Sequence, residues 1–200
     1  MPIPSKHWVE TTEPVRKIIE RMEVRSETLR ERIRDMLLLG ELRSLVTAAH
    51  SIAPVDIQSI IKPIIEELDD KAAERKISVN INLQPTSVVS NERQLKILFL
   101  NIISNAVLYS RDGGTVEITA TRDNRAVTVF IMDHGIGIKA EALPHIFDEY
   151  FRTKEASEFN KLSTGLGLAI VRQVAMTLGL KIRVESAENQ GTTFAVTIPS

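Results

Sequence analysis

Residues 126–138 read Ala126-Val127-Thr128-Val129-Phe130-Ile131-Met132-Asp133-His134-Gly135-Ile136-Gly137-Ile138. The first eight form an extended run that ends on an aspartate and opens into Gly-x-Gly. The Asp123-Asn124 turn precedes it, and before that lies a second extended run, Thr115 to Arg122, so the pair predicts a β-hairpin. A carboxylate leaving a strand beside two glycines can accept a hydrogen bond from a ligand edge, because the backbone there allows close approach. Taken alone, the same residues also describe a hairpin loop with a turn-forming aspartate.

Upstream, Ser90 or Asn91 caps a helix predicted from Glu92 to Ser110. Asn101 and Asn105 stand four residues apart on one of its faces, beside the apolar Leu98, Ile102, Ile103 and Ala106. A carboxamide oxygen suits a hard cation such as Mg²⁺, although two asparagines alone equally describe an ordinary helix surface. Downstream, Ser163-Thr164-Gly165-Leu166-Gly167-Leu168 opens a helix running from Gly165 to Leu178. Free amides and the positive end of a helix dipole suit phosphates, and the Lys-Ser/Thr of a P-loop is missing. Between these patterns, the aromatic run from Ile146 to Arg152 leads into a polar stretch, Thr153 to Ser163. A short helix near Pro144 to Asp148 followed by such a stretch reads as the hinge and body of a lid.

The remaining pattern completes the fold class. Ile77, Val79, Ile81 and Leu83 alternate with polar residues as a half-buried strand, and two more strands are predicted at Lys181 to Ser186 and Thr192 to Ile198. Asp56 caps a helix from Ile57 to Lys76 whose early turns Pro63 is expected to kink or delay. The order implies an α+β protein, an α/β sandwich with helices on one face of a mixed sheet.

A long helix leads the chain, from about residue 13 to about 49, with Thr12 as cap and Pro14 in its first turn. Val15, Met22, Leu29 and Met36 recur every seven residues, with Ile19 and Ile33 on a second seam. Charged residues fill the other faces, spaced for pairs such as Glu27 with Arg30 and Glu31 with Arg34. The stripe must meet the rest of the chain or a second copy, and the second copy is the preferred expectation.

Composition narrows the function. Of 200 residues 43% are hydrophobic and 26% charged, with 25 basic against 26 acidic side chains and a net charge of −1. That balance, with six Phe, two Tyr and one Trp, argues against nucleic-acid binding. There are no cysteines, which excludes a disulfide framework and thiolate sites. No apolar run approaches the roughly 20 residues that span a bilayer, and the N-terminus lacks a signal-peptide pattern. The expectation is a soluble, cytoplasmic chain without membrane contact, which a piece of a membrane-bound sensor would also satisfy.

As a set, Asn101-Ile102-Ile103-Ser104-Asn105-Ala106, Asp133 to Ile138, Phe147 to Arg152 and Thr164-Gly165-Leu166-Gly167-Leu168-Ala169-Ile170 resemble the N, G1, F and G2 boxes of sensor histidine kinases, in that family's order and spacing. Gly191-Thr192-Thr193-Phe194 and Pro199 are similar to its last hairpin. The resemblance covers about residues 53–200 and implies the Bergerat ATP-binding fold shared with gyrase-type and mismatch-repair ATPases. Residues 1–52 would then be a partial dimerisation region, since Met36 to Leu42 resembles the end of the second helix of the phosphoacceptor hairpin. The first helix, with its histidine followed by an acidic residue, is not found. His7, His50, His134 and His145 do not fit that motif, so a truncated chain is expected.

The resemblance also implies roles. Asp133 accepts from the adenine amino group, Ile138 and Leu168 enclose the ring, and Tyr109 stacks on it. Gly135, Gly137 and Thr193 belong to the nucleotide site. Asn105 ligates Mg²⁺ with Asn101 nearby. Thr164 and the amides at Gly165, Leu166 and Gly167 hold phosphates, and Arg152 reaches the terminal one. ATP and Mg²⁺ are the implied cofactors; a homodimer through the leading helix and a response regulator are the implied partners. Two departures stand out: Leu108 occupies a position where the family usually has lysine, and Ser163 one where glycine is common. A degenerate ATP-binding sensor and a dimerisation scaffold remain the competing readings.

Overall fold

Asp123 closes the hairpin read from the sequence: its Oδ1 accepts from the amides of Arg125 and Ala126 at 2.7 and 2.8 Å. The flanking strands are β4 (Thr115–Arg122) and β5 (Ala126–Asp133), paired antiparallel from Val116↔Asp133 to Arg122↔Val127. The computed structural model describes residues 13–44, 52–160 and 163–199. Its other strands are β1 (Ala53–Asp56), β2 (Ser78–Asn82), β3 (Ser87–Ser90), β6 (Lys181–Ala187) and β7 (Gly191–Pro199). Its helices are α1 (Glu13–Ser44), α2 (Ile57–Glu74), α3 (Glu92–Tyr109), α4 (Lys154–Phe159) and α5 (Gly167–Leu178), with a 3₁₀ turn at Leu143–His145.

Five strands form one mixed sheet in the order β2-β4-β5-β7-β6, with β2 and β4 parallel and the other pairs antiparallel. Side chains alternate across it. Val127, Val129, Ile131 and Asp133 of β5 are buried, while the residues between them are half-exposed. The buried face carries α2, α3 and α5, whose Ile61, Ile64, Leu95, Leu98, Ile102, Ile103 and Ile170 are fully enclosed with Val116, Ile118 and Val196. Each such side chain contributes roughly 1.5–3 kcal/mol. This is the sandwich that the pattern predicted.

Three local outcomes differ from expectation. β1 and β3 pair antiparallel as a separate ribbon, Ala53↔Ser90 to Asp56↔Ser87, where the pattern shows only the caps at Asp56 and at Ser90 or Asn91. Pro63 does not delay α2, which starts at Ile57 with Asp56 accepting from the amide of Gln58. Pro63 lies on the exposed side of the helix, where water can hydrate the carbonyl that loses its partner. The polar stretch Thr153 to Ser163 is not loop throughout. Thr153 Oγ1 accepts from the amide of Ala156 and so caps α4.

The leading helix runs as predicted from Glu13 to Ser44; Thr12 and residues 45–49 lie outside the described residues. Its two ends behave differently. Leu39 and Leu42 are buried in the hydrophobic core, and α1 packs on α5. Val15, Ile19, Met22, Leu29, Ile33 and Met36, the whole heptad seam, remain exposed. Among the described residues, no helix is long and apolar enough to cross a membrane.

Candidate nucleotide site

Asp133 shares its face of β5 with Val127, Val129 and Ile131, so the alternation that builds the core carries a carboxylate into it. It is 5% exposed. Burial pushes its carboxyl up from the ordinary carboxylate range to about 6, against the opposing effect of hydrogen bonds from the backbone of Gly135 and Thr192 and of the neighbouring His134. The Gly135 amide donates to Oδ1 at 2.8 Å. Gly135 has a steric reason to lack a side chain, since a Cβ there would lie 2.0 Å from the carbonyl oxygen of Tyr109. The same carbonyl accepts from the Ile136 amide at 3.2 Å and ties the loop to the end of α3.

Asp133 opens onto a cleft of about 630 Å³ lined by residues from α1, α2, α3, the β5 loop, the lid and the start of α5. Asn101 and Asn105 both face it, as the i, i+4 spacing predicted. Asn101 Nδ2 donates to its own helix at the Ile97 carbonyl, 2.8 Å away, which leaves Oδ1 toward α5, 2.9 Å from where a Cβ on Gly167 would sit. The Asn105 carboxamide makes no hydrogen bond among the described residues and faces the cleft. It fits a single hard-cation ligand of the kind Mg²⁺ accepts when phosphates and water complete its shell.

Tyr109, Gly137, Ile138, Thr164, Gly165, Gly167 and Leu168 line the same cleft. Ile138 is fixed by its amide, which donates to Ser186 Oγ at 2.9 Å. Thr164 Oγ1 accepts from the Leu166 amide at 3.1 Å, so that amide is already engaged. Three predicted residues fall elsewhere. Leu166 is 1% exposed and its side chain belongs to the core. Gly135 lies behind Asp133, against Tyr109. Thr193 pairs with Met132 and stands on the outer face of the sheet. Thr192, paired with Asp133, lines the cleft in its place.

Arg152 faces the cleft but is turned toward α4: its Nη2 donates to the carbonyls of Ala156 and Asn160, and its Nε is buried with no partner among the described residues. Helix α4, in the stretch expected to form a lid, rests on the end of α3. The Phe159 ring lies 6.2 Å from that of Tyr109, and the Arg75 guanidinium sits 5.2 Å above Phe159. At its other end α4 is joined to Lys139 through Glu155, whose carboxyl the lysine holds down at about 2.

The sequence reading missed Arg75 and the contribution of α1. Arg75 donates to Asp112 Oδ1 at 2.8 Å and to the carbonyls of Val107, Leu108 and Ser110 at 3.3, 2.7 and 2.6 Å, closing the C-terminal end of α3. From α1, Glu31, Arg34, Asp35 and Leu38 form one wall of the cleft. Asp35 accepts from Thr164, and Arg43 and Glu41 pair with Glu149 and Arg93. No local pattern marks these contacts, because their partners lie 52 to 129 positions away.

Residues 90–200, which include α3, the loop after β5, α4 and α5, match the family of histidine kinase-, DNA gyrase B-, and HSP90-like ATPases. The chain belongs to this ATPase family. Its similarity extends to sensor histidine kinases in particular. The heme sensor protein HssS of Staphylococcus saprophyticus is 34% identical over 171 residues, 84% of this chain and 36% of that protein. The sensor-like histidine kinase SenX3 of Mycolicibacterium smegmatis is 30% identical over 187 residues, 92% of this chain and 48% of that protein. The chain thus spans less than half the length of these curated relatives. Among solved structures, the mycobacterial sensor histidine kinase MprB superposes with a TM-score of 0.65 at 27% identity, covering 74% of this chain and 97% of that one. Full-length ShkA in complex with AMPPNP superposes with a TM-score of 0.76 at 25% identity, covering 95% and 40%. The expected fold and family of the ATP-binding domain are therefore the observed ones.

Proposed function

We propose that this chain is the catalytic portion of a sensor histidine kinase, which binds Mg-ATP in the cleft and transfers the γ-phosphoryl group to a histidine supplied from outside it, for onward transfer to a response regulator. The observation that carries this reading is the convergence on one cleft of Asp133, Asn105 and the N-terminal end of α5. Asp133 would accept from the adenine amino group, with Ile138 and Leu168 enclosing the ring and Tyr109 against it. Asn105 would hold Mg²⁺, which neutralises phosphate charge. Thr164, Gly165 and Gly167 would hold phosphate oxygens, and Arg152 would reach the terminal phosphate once released from the carbonyls of the lid.

Phosphoryl transfer rests on positioning and charge neutralisation, and a neutral imidazole needs little activation as its nucleophile. Asn101 favours transfer over hydrolysis, because a carboxamide cannot take a proton from water. His134 and His145 pair with Glu117 and Asp148. His7 and His50 lie outside the described residues. We assign residues 1–52 to the dimerisation region and 53–200 to the ATP-binding domain; the β1–β3 ribbon and the packing of α2 on α3 support a start near Ala53. A homodimer would form through the exposed seam of α1, and the cytoplasm, where receiver domains and ATP meet, is the proposed location.

The test is incubation with labelled ATP and a separately supplied acceptor hairpin. Acid-labile label on that hairpin is the expected result. Nucleotide binding with no transfer to any acceptor would select a second reading, a degenerate ATP-binding sensor, which the apolar Leu108 on the cleft wall favours.

A further inference from the structure

The cleft wall formed by α3 carries no cation: the residues facing inward along it include Asn101, Ser104, Asn105 and Leu108. Among the described residues, four cationic side chains reach the cleft from elsewhere, Arg34, Lys71, Arg75 and Arg152. Arg75 is committed to Asp112 and three carbonyls, and Arg152 donates to two carbonyls of the lid. Arg34 stands next to Asp35 and offsets its charge. Lys71 has neither a hydrogen bond nor an ion pair among the described residues.

Its place in the fold is set by Arg75. Helices α2 and α3 pack side by side, and Arg75, just beyond α2, bonds the carbonyls of Val107 and Leu108 in the last turn of α3. Lys71 lies one turn back along α2. It is therefore level with the turn of α3 that holds Ser104 and Asn105, and all three line the cleft. A lysine stem spans about a helical turn and ends in a point charge with three donors, which suits phosphate oxygens.

We propose that Lys71 is a phosphate-binding residue of this cleft, contributing from α2 the positive charge that the α3 wall lacks. This rests on the reading of the cleft as an ATP site and adds a residue to it. An ammonium at this level lies beside Asn105, where the phosphates of a nucleotide anchored at Asp133 pass toward the start of α5. It acts on the polyphosphate and not on the nucleoside.

Titration calorimetry with ATP, ADP and adenosine on the full chain and on Lys71→Met tests this. Lys71→Met is expected to weaken ATP about two- to fivefold, as for a solvent-facing charge pair, ADP less, and adenosine not at all. Lys71→Arg should retain most of the affinity, and Lys62→Met, on the exposed side of the same helix and away from the cleft, should change nothing. If the unaltered chain binds ATP and Lys71→Met binds it equally, the role of Lys71 is overturned while the ATP site stands. An equal loss for adenosine and ATP also overturns it, since that is a structural effect. An unaltered chain that binds no nucleotide overturns the site and the role together.

Discussion

Thr164 Oγ1 donates a 2.7 Å hydrogen bond to Asp35 Oδ2, joining the leading helix to the loop that opens α5. The same hydroxyl oxygen accepts from the Leu166 amide, so one side chain serves both the docking of α1 and the conformation of the proposed phosphate loop. Burial raises the Asp35 carboxyl above its ordinary value, against the hydrogen bond from Thr164 and the charge of Arg34. A carboxyl group whose value is raised in the docked state takes up a proton on docking. The stability it contributes is present at low pH and is lost as pH rises through the docked value.

Asp35→Asn keeps an acceptor for Thr164 and removes the buried charge. It is expected to raise the stability of the α1 contact at high pH, where the carboxyl would be ionised, with partial exposure keeping the gain below about 1 kcal/mol. Thermal melts of the two proteins at pH 5 and pH 8 check this: the difference should be larger at pH 8.

Asp133 carries the same sign more strongly. With its carboxyl at about 6 in the folded protein, its contribution to stability is full below the ordinary value near 3.8 and lost as pH rises through about 6. The ionised buried group then costs on the order of 3 kcal/mol in the nucleotide-free protein. Asp133→Asn should therefore raise the melting temperature at pH 8 while weakening ATP about ten- to hundredfold, because a carboxamide nitrogen faces the adenine amino group without complementing it. ATP affinity of the unaltered chain should fall as pH drops through about 6. Unchanged affinity in a folded Asp133→Asn protein would remove this residue from the site.

Asn105→Ala should lose the Mg²⁺-dependent part of ATP binding and leave adenosine affinity intact, since the carboxamide acts through the cation and the phosphates. Calorimetry with ATP, with and without Mg²⁺, and with adenosine separates the two. Equal losses for both ligands would show that Asn105 supports the helix instead.

Leu29 is 58% exposed in the centre of the apolar seam of α1. Leu29→Glu should shift the chain toward monomer in light scattering at high concentration, while the buried Leu39 and Leu42 keep the end of α1 docked. A chain that is monomeric before the substitution at every concentration would show that the seam does not self-pair.

The hairpin β4–β5 and the helix α3 were legible in the residues because each is specified locally: alternation and the Asp123 turn for the first, the Asn91 cap and its apolar face for the second. The β1–β3 ribbon was not, because two four-residue strands with 30 residues between them leave too short a pattern to read. Helix α4 escaped for the same reason, six residues in a polar stretch. The placement of Thr193 failed on register: a side-chain period of two puts its neighbour Thr192 on the cleft face and Thr193 on the other.

By itself, then, the amino-acid order determined the order of the longer elements, the α+β class and the motifs of the proposed ATP site, since periodicity, caps and glycine spacing act over a few residues. Only the tertiary structure decided which residues share the cleft with them. Asp35, Lys71 and Arg75 come to it from α1 and α2, far from Asp133 and Thr164 in the chain, and core packing brings them there. Folding also divided the apolar stripe of α1, burying Leu39 and Leu42 and leaving Met22 and Leu29 in solvent, because the helix is longer than the face of the domain it meets.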